Sequence, residues 1–157
     1  MTGLDLNEVE LQQARRVFER PNLQFVLADV VVAPAPVERP DVILLASVIQ
    51  YVPDLPALIT RLLGWLAPGG ELDILDSPLY AAGDLPAARE RTRQHYAALA
   101  VPEMVEAYHH HQWRDLDGSN TAVRYRPDLL RHRLARRLLG WPRSPFPWVR
   151  IRPEPPG

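Results

Sequence analysis

Two segments in the first half of the chain have the hydrophobic spacing of amphipathic helices. Apolar residues recur at intervals of two to four between Asn7 and Pro21, with acidic residues directly after Asn7, so this pattern predicts a helix capped by Asn7. A leucine-rich stripe follows Asp54 and stops before Pro68, which predicts a second helix that begins at Asp54. Each helix has one apolar face to bury.

Four short apolar runs lie around these helices and predict strands. They cover residues 3–6, 23–28, 41–46 and 71–76. The run 41–46 is apolar at every position after Asp41, which is typical of a strand buried on both faces. The order strand, helix, strand, strand, helix, strand predicts a doubly wound α/β fold with a mostly parallel sheet.

A polar side chain stands at the end of each predicted strand. These residues are Asp5, Asp29, Ser47 and Asp76. In doubly wound sheets, ligands bind beyond the carboxyl ends of the strands. We therefore expect three acids and one hydroxyl at one rim of the sheet, as part of a binding site.

The second half of the chain is more helical by pattern. Helices are predicted over Leu85–Leu99 and Pro127–Leu139, a shorter one follows Pro102, and Asp115–Asn120 is rich in turn residues. Ser144–Ile151 is aromatic and extended, so it predicts a terminal strand.

The length fits one core. We expect a single domain over 1–157, with an α/β core in 1–80, helices and a terminal strand in 81–152, and a tail in 153–157.

Composition excludes several classes of enzyme. All 18 basic residues are Arg, and the chain contains neither Lys nor Cys. The absence of Lys excludes a P-loop lysine, a Schiff-base aldolase and a pyridoxal-phosphate lysine. The absence of Cys excludes disulfides, thiolate zinc sites and cysteine nucleophiles.

The net charge of −1 hides a difference between the two halves of the chain. Residues 1–80 contain 11 acids and 5 Arg, whereas residues 81–157 contain 8 acids and 13 Arg. The basic half could meet nucleic acid, but its Arg residues are interspersed with acids, which favours solvated helix faces. Nucleic acid is therefore a disfavoured partner.

No targeting signal is visible in the sequence. Met1–Leu11 is acidic and lacks the basic start and long apolar stretch of a signal peptide. The longest uncharged apolar run, Val42–Pro53, is too short to span a bilayer. We expect a cytoplasmic protein without a membrane partner.

Three adjacent histidines, His109–His111, raise the question of a metal site. Consecutive residues point to different sides, so at most two could share an ion, and the chain has no HExxH pattern. We expect no metal here. The segment is interpreted as solvent-facing or substrate-lining, and one of its histidines is a candidate general base.

Taken in order, these landmarks resemble the class I S-adenosylmethionine-dependent methyltransferases. The matching segments are GLDLNEVELQQAR, NLQFVLADV, RPDVILLASVIQYVPDLPALITRLLGWLAPGGEL and DILDSP, over about residues 3–78. The passage LAPGGEL at Leu66–Leu72 is the most specific of them. The resemblance implies a Rossmann-like fold, S-adenosyl-L-methionine as cofactor, and methylation of a small-molecule substrate.

The resemblance also implies roles for residues at the strand ends. Asp5, with Leu6 beside it, matches the acid that binds the ribose hydroxyls of the cofactor. Asp29 matches the acid that takes the adenine amino group, with Val30 next to the ring. Ser47 matches a residue near the transferred methyl, although a strand-end hydroxyl that caps the next turn is an equal alternative.

Candidates for contact with the substrate come from two places. One is the segment after the predicted strand 41–46, and the other is the second half of the chain. Gln50 and Tyr51 could contact cofactor or substrate or pack under the next helix, and Tyr80 and His111 are further substrate candidates. The catalytic residues are unknown, with Tyr51 and His110 as candidates.

One part of the family pattern is missing. The first strand and its glycine-rich loop should precede Asp5 by about twenty residues, and the chain contains no GxG. We interpret the sequence as an N-terminally incomplete form of the fold. The missing strand would leave a gap in the sheet unless the two flanking strands pair directly, or a homodimer or another complementing chain fills it.

Three functions remain open. The first is methyl transfer, possibly impaired by the missing loop. The second is a non-catalytic relative that serves as a binding module or partner subunit, and the third, ranked last, is an Arg-rich nucleic-acid-binding protein. A nicotinamide oxidoreductase is disfavoured because it too needs a glycine-rich loop.

Overall fold

The chain folds into two units, Met1–Val37 and Glu38–Gly157. The computed structural model describes residues 1–130, Leu134 and 144–154. The single domain expected from the sequence stays a prediction.

The first unit is a strand, a helix and a second strand. Strands β1 (Thr2–Asp5) and β2 (Gln24–Leu27) pair in parallel, with Asp5 opposite Leu27, and helix α1 (Glu8–Val17) connects them. Asn7 caps α1 as predicted, because its Oδ1 accepts hydrogen bonds from the backbone N–H of Val9 at 3.0 Å and of Glu10 at 3.4 Å. The predicted order of elements is confirmed in this unit.

The first unit has almost no core. Within Met1–Val37, all of which the structure describes, Leu11 is the one buried residue. Val17 in α1 is 63% exposed, and Leu4 and Val26 on the strands are 43% and 41% exposed. The helix therefore forms where the sequence predicts it, without burying most of its apolar face.

The second unit is built on a four-stranded sheet in the order β3-β4-β6-β5. Strands β3 (Val42–Ala46) and β4 (Glu71–Leu75) are parallel, and helix α2 (Leu55–Trp65) connects them. Strands β5 (Asn120–Tyr125) and β6 (Trp148–Arg152) add antiparallel, and helix α3 (Leu85–Ala98) follows β4. Residues from both halves of the sequence thus share one sheet.

The core of this unit lies between α2 and one face of the sheet. Asp54 caps α2 through a 2.9 Å hydrogen bond from the backbone N–H of Ala57. The side chains that α2 and the sheet bury completely are Leu55, Leu62, Leu72, Ile74, Val149 and Ile151. At about 1.5–3 kcal/mol for each buried aliphatic side chain, this face supplies the main driving force for folding of the unit.

The turn after α2 requires glycine at two positions. Gly69 has φ +79°, in the left-handed region that glycine tolerates best. A Cβ on Gly70 would lie 3.0 Å from the carbonyl oxygens of Ala67 and Asp41. The PGG passage therefore reflects the close approach of this turn to the start of β3.

Strand β3 corrects one expectation from the sequence. It was expected to be buried on both faces, but Val42 and Leu44 are each 54% exposed while Leu45 is buried. The reason is that, within this unit, no described element packs on the face of β3 that carries Val42 and Leu44. Strands β1 and β3 belong to separate sheets.

The second half of the chain differs from its predicted pattern in several places. Strand β5 was not predicted. The sequence interpretation ended a turn-rich segment at Asn120, began a helix at Pro127 and assigned no element to the residues between them. The short helix after Pro102 is a single 3₁₀ turn, Pro102–Val105, and a second such turn, Trp113–Leu116, overlaps the expected loop. The predicted helix Pro127–Leu139 lies for the most part outside the described residues.

A buried carboxylate joins β4 to β6. Asp73 is 6% exposed, and its carboxylate accepts hydrogen bonds from Trp148 Nε1 at 2.8 Å and from Arg150 Nε and Nη2 at 3.0 Å each. Glu71 extends this network, with one oxygen 2.9 Å from Arg150 Nη2 and the other 3.1 Å from Arg152 Nη2. Burial alone would raise the pKa of Asp73, but the hydrogen bonds from Arg150 and Trp148 and the charge of Arg150 outweigh it and lower that pKa.

Replacing Asp73 by Asn should lower the free energy of unfolding by about 2 kcal/mol at pH 7. This lies below the usual loss for a fully buried ion pair because Arg150 is still 18% exposed. The folded-state pKa of Asp73 is lowered, so its contribution is complete above the ordinary value of 3.8 and is lost as the pH falls through the folded value. Urea unfolding at pH 7 and at pH 3 should therefore show a smaller difference between D73N and wild type at pH 3.

The matched control is Glu71→Gln, which removes the same charge from the partly exposed end of the network. It should cost less than about 1 kcal/mol. Equal losses for the two variants would contradict the central role of Asp73.

Candidate functional site

The two acids predicted to bind the cofactor lie at the same edge of the first unit. Asp5 ends β1, and Asp29 follows β2 by two residues, so the parallel register brings both to the carboxyl end of this sheet. One oxygen of each is held by a backbone N–H, with Asn7 N 2.8 Å from Asp5 Oδ1 and Val31 N 2.8 Å from Asp29 Oδ1. Within the described residues, no hydrogen bond is recorded to the second oxygen of either acid.

The neighbours of these acids differ in exposure. Leu6 is 69% exposed, and Val30 is half-buried in the turn after β2. Their assignment to the cofactor site stays a prediction.

In the second unit, Ser47 and Asp76 meet at the ends of two paired strands. The Ser47 hydroxyl donates to the carbonyl oxygen of Asp76 at 3.1 Å, and Ser47 N donates to the carbonyl oxygen of Leu75 at 3.1 Å. Both Ser47 and Asp76 have positive φ, at 56° and 49°. Non-glycine residues in this region cost on the order of 1–2 kcal/mol each, and such strain is concentrated at functional sites.

Gln50 follows Ser47 in the 3₁₀ turn Ile49–Tyr51 and is 7% exposed. Its Nε2 donates to the carbonyl oxygen of Ser47 at 2.9 Å. Its Oε1 is buried and has no hydrogen-bond partner among the described residues. A buried acceptor without a donor costs about 1–3 kcal/mol, and a ligand that brings an N–H or O–H group would remove that cost.

His111 holds this turn in place. It is 6% exposed, and its Nε2 lies 2.8 Å from the carbonyl oxygen of Ile49 and 2.9 Å from that of Val52. Because carbonyl oxygens only accept, Nε2 must carry the hydrogen and donate to both. The structure therefore gives His111 a structural role beneath Tyr51, while its contact with substrate stays untested.

Four tyrosines and one histidine form a compact group above this turn. We call Tyr51, Tyr80, Tyr96, Tyr108 and His110 the tyrosine cluster. Tyr108 lies at its centre, with ring centroids 6.1 Å from Tyr51, 6.1 Å from Tyr96 and 5.0 Å from His110. Three residues predicted from the sequence, Tyr51, Tyr80 and His110, are thus brought together.

Two pairs of tyrosines in the cluster influence each other's ionisation, Tyr96 with Tyr51 and Tyr108 with Tyr80. Burial, a hydrogen bond to Tyr51 and the proximity of Tyr51 raise the pKa of Tyr96 to about 12. Burial, followed by the proximity of Tyr80 and a hydrogen bond to it, raises the pKa of Tyr108 well above its ordinary value. Tyr96 and Tyr108 are therefore protonated at neutral pH and can donate hydrogen bonds, but they are not bases.

His110 is half-buried on the rim of the cluster. Its Nε2 is 2.9 Å from the hydroxyl of Thr92, and its ring lies 5.5 Å from that of Tyr80. Burial, aided by the positive charge of Arg89, lowers the pKa of His110 below its usual 6.5. The imidazole is accordingly neutral at pH 7.

The tyrosine cluster borders a cavity of about 370 Å³ against α3. This acceptor cavity, as we call it, is lined among others by Tyr51, Tyr80, Arg91, Thr92, His95 and Tyr108. Arg91 has no hydrogen bond or ion pair among the described residues, which leaves a guanidinium at the cavity wall available for a ligand.

Sequence reasoning missed Tyr96, Arg91 and Thr92. The spacing of Ala88, Arg91, Thr92, His95 and Tyr96 places all five on one helical face, and this signal was available. It was obscured because the face mixes charged, polar and aromatic residues and so lacks the apolar stripe that marks a packed face.

Within the described residues, no three His, Asp or Glu side chains are grouped as a metal ion would require. No described helix has the length and apolar character needed to cross a membrane.

The sequence matches known methyltransferases, over its first half for the family and over most of its length for one relative. Residues 1–74 match the family described as "Methyltransferase domain". A "Trans-aconitate 2-methyltransferase" of Paracidovorax citrulli is 35% identical over 131 residues, which are 80% of this chain and 42% of that protein. The chain thus spans less than half the length of this relative.

Solved structures agree on the fold. An S-adenosylmethionine-dependent methyltransferase from Mesorhizobium loti superposes with a TM-score of 0.56 at 18% identity, over 96% of this chain and 77% of that one. The plantazolicin methyltransferase BpumL, solved in complex with a desmethylPZN analog and SAH, has a TM-score of 0.58 at 13% identity, over 98% of this chain and 67% of that one. The Rossmann-like α/β fold is confirmed, in a partly incomplete form.

Replacing His111 by Ala should lower the free energy of unfolding by about 2 kcal/mol, because the carbonyl oxygen of Val52 loses its donor and that of Ile49 keeps only the N–H of Val52. Urea unfolding at pH 7 measures this loss. His95→Ala is the matched control, since His95 is exposed, and it should change stability by less than about 0.5 kcal/mol. If both variants unfold like wild type, His111 does not hold the turn.

Proposed function

Because this chain belongs to the class I S-adenosylmethionine-dependent methyltransferase family, we propose that it transfers a methyl group from S-adenosyl-L-methionine to a small carboxylic acid. One observation carries the choice of acceptor. The acceptor cavity presents an unpaired guanidinium, that of Arg91, beside protonated tyrosine hydroxyls. These groups bind an anion and are poor at removing a proton.

The acids of the first unit fit the cofactor. Asp5 and Asp29 each keep one carboxylate oxygen without a described partner, at the carboxyl ends of paired parallel strands. A fixed carboxylate suits the vicinal hydroxyls of a ribose, and a second one suits the amino group of adenine. Leu6 and Val30 would then lie next to the nucleoside.

In the second unit, Gln50 and Ser47 fit a position next to the methyl group that is transferred. The orphaned Oε1 of Gln50 calls for a donor from a ligand, and the strained backbone at Ser47 holds Gln50 in that position. When bound, the cofactor supplies a sulfonium methyl group, which a carboxylate oxygen can take up with neither a proton nor an added base.

The class of methyl acceptor follows from the weak general bases that line the acceptor cavity. An alcohol, amine or carbon acceptor has to lose a proton during methylation, so it benefits from a general base. Tyr96 and Tyr108 have raised pKa values, and the ring nitrogen Nε2 of His110 is already occupied by Thr92. A carboxylate is a nucleophile in its ordinary ionised state at pH 7. The relatives of the chain are named as methyltransferases of trans-aconitate, which is a carboxylate.

Binding of the cofactor should be weaker than in relatives that have a glycine-rich loop. That loop lets the backbone approach the amino-acid portion of the ligand, and the sequence contains no GxG that could replace it. A non-catalytic subunit, with the fold kept and the cofactor site lost, is the second candidate because of this absence. A homodimer or another complementing chain that fills the gap would restore the missing backbone.

Calorimetric titration with S-adenosylmethionine should detect binding to the wild-type chain, and Asp5→Asn and Asp29→Asn should each weaken it about tenfold. Glu10→Gln in α1 removes the same charge from the same unit and should leave the dissociation constant unchanged. Wild type without measurable heat at millimolar ligand would favour the non-catalytic alternative.

Incubation with S-adenosylmethionine and trans-aconitate should yield a methyl ester, which mass spectrometry identifies. Arg91→Gln should lower kcat/KM about tenfold through loss of the charge-assisted contact. Tyr51→Phe should have a smaller effect, since it keeps the ring and removes one hydroxyl. If duplex DNA instead binds with an affinity that falls steeply with salt, the proposal gives way to the nucleic-acid alternative.

A further inference from the structure

Aromatic rings form a large part of the wall of the acceptor cavity. The phenylalanine and tyrosine rings that line it are those of Tyr51, Tyr80, Tyr96, Tyr108 and Phe146. Tyr51 is 49% exposed, and Tyr80, Tyr108 and Phe146 are half-buried, so their rings keep surface that a ligand can cover. The cavity volume of about 370 Å³ lies within the range of about 300–1,000 Å³ that small-molecule pockets have.

Phe146 reaches this wall from the segment that precedes β6. Its backbone N–H donates to the Ser144 hydroxyl at 3.2 Å, and that hydroxyl donates to the carbonyl oxygen of Phe146 at 3.2 Å. The hydroxyl of Tyr125 in β5 donates to the carbonyl oxygen of Ser144 at 3.1 Å. The sheet therefore holds Phe146 at the cavity, and methylation of a carboxylate by itself requires no such ring.

The rings already packed at the cavity show the geometry that an added ring can adopt. Tyr108 meets Tyr51 at an interplanar angle of 81° and Tyr96 at 62°, with centroids 6.1 Å apart in both pairs. Edge-to-face packing of this kind stabilises a pair of rings beyond the burial of their surface. An aromatic ligand can extend the arrangement, whereas a saturated ring or a flexible chain gains only from burial.

The charge of the cavity fits a ligand with one acidic group. Among the described residues that line it, Arg91 is the one arginine and none is acidic. A carboxylate that leaves water needs a partner, and Arg91 can compensate one such group. Each further carboxylate would lie near ring faces, which carry partial negative charge, without a second arginine.

We propose that the methyl acceptor is an aromatic acid with a single carboxylate. Arg91 binds the carboxylate, and the rings of Tyr51, Tyr108 and Phe146 select the aromatic part. The carboxylate oxygen forms the new bond to the methyl carbon as the methyl–sulfur bond breaks, and the sulfur keeps the electron pair. This inference rests on the proposed function and narrows its acceptor from a small carboxylic acid to an aromatic one.

The test compares three acids on the wild-type chain by NMR titration without cofactor, so that binding does not depend on turnover. Benzoate and cyclohexanecarboxylate have the same charge and nearly the same size, and only benzoate is aromatic. Benzoate should bind about three- to tenfold more tightly than cyclohexanecarboxylate. It should also bind more tightly than trans-aconitate, which has three carboxylates. Equal affinities for benzoate and cyclohexanecarboxylate, or tighter binding of trans-aconitate than of benzoate, would overturn the inference.

Phe146→Leu keeps an apolar side chain and removes the ring. It should weaken the binding of benzoate about threefold and change that of cyclohexanecarboxylate less than twofold, whereas Arg91→Gln should weaken both by similar factors. Phe18→Leu makes the same change at an exposed position of the first unit and should leave both affinities unchanged. A loss of benzoate affinity in Phe18→Leu as large as that in Phe146→Leu would contradict the role of the ring.

Incubation of each acid with S-adenosylmethionine, followed by mass spectrometry, tests the proposed function separately. A methyl ester of benzoate supports both the proposed function and the aromatic preference. No ester from any of the three acids would overturn the proposed function, whereas an ester from trans-aconitate alone would overturn only the aromatic preference.

Discussion

A carboxylate in the middle of a buried strand has to be compensated, and this requirement organises the second unit. Asp73 takes its partners, Trp148 and Arg150, from a strand more than seventy residues further along the chain. Leaving either side of this pair unmatched would cost about 2 kcal/mol, since Arg150 is partly exposed. The network therefore fixes β6 on β4 and makes the end of the chain part of the sheet that its first half begins.

Closure of the sheet also determines which residues can form a site. The segment between β4 and β6 leaves the sheet and returns to it, and it contains α3 and every member of the tyrosine cluster except Tyr51. His111 ties the same segment back to the turn after β3. Tyr51 and Tyr108 meet because both ends of this connection are fixed, at an edge-to-face ring distance of 6.1 Å.

Many apolar side chains of the first unit and of strand β3 are exposed. The first unit buries Leu11 alone, and β3 exposes Val42 and Leu44 at the edge of its sheet. A helix such as α1 can still form, because its cap and its charge pattern are local features. Its apolar face remains largely uncovered, since burial depends on elements outside the unit itself.

The sequence by itself determined the helix caps, the order of the first six elements and the polar residues at the strand ends, since each depends on neighbours within a few positions. The sequence pattern did not predict β5, because that strand pairs with the distant strand β6. It predicted that β3 is buried on both faces, because an apolar run does not show which elements cover it. For the site, the sequence supplied Tyr51, Tyr80 and His110 through family resemblance. Only the tertiary structure could decide that they surround Tyr108, that His111 bonds the backbone of Ile49 and Val52, and that Arg91 borders the same cavity as Tyr51, because those contacts join parts of the chain that are far apart in sequence.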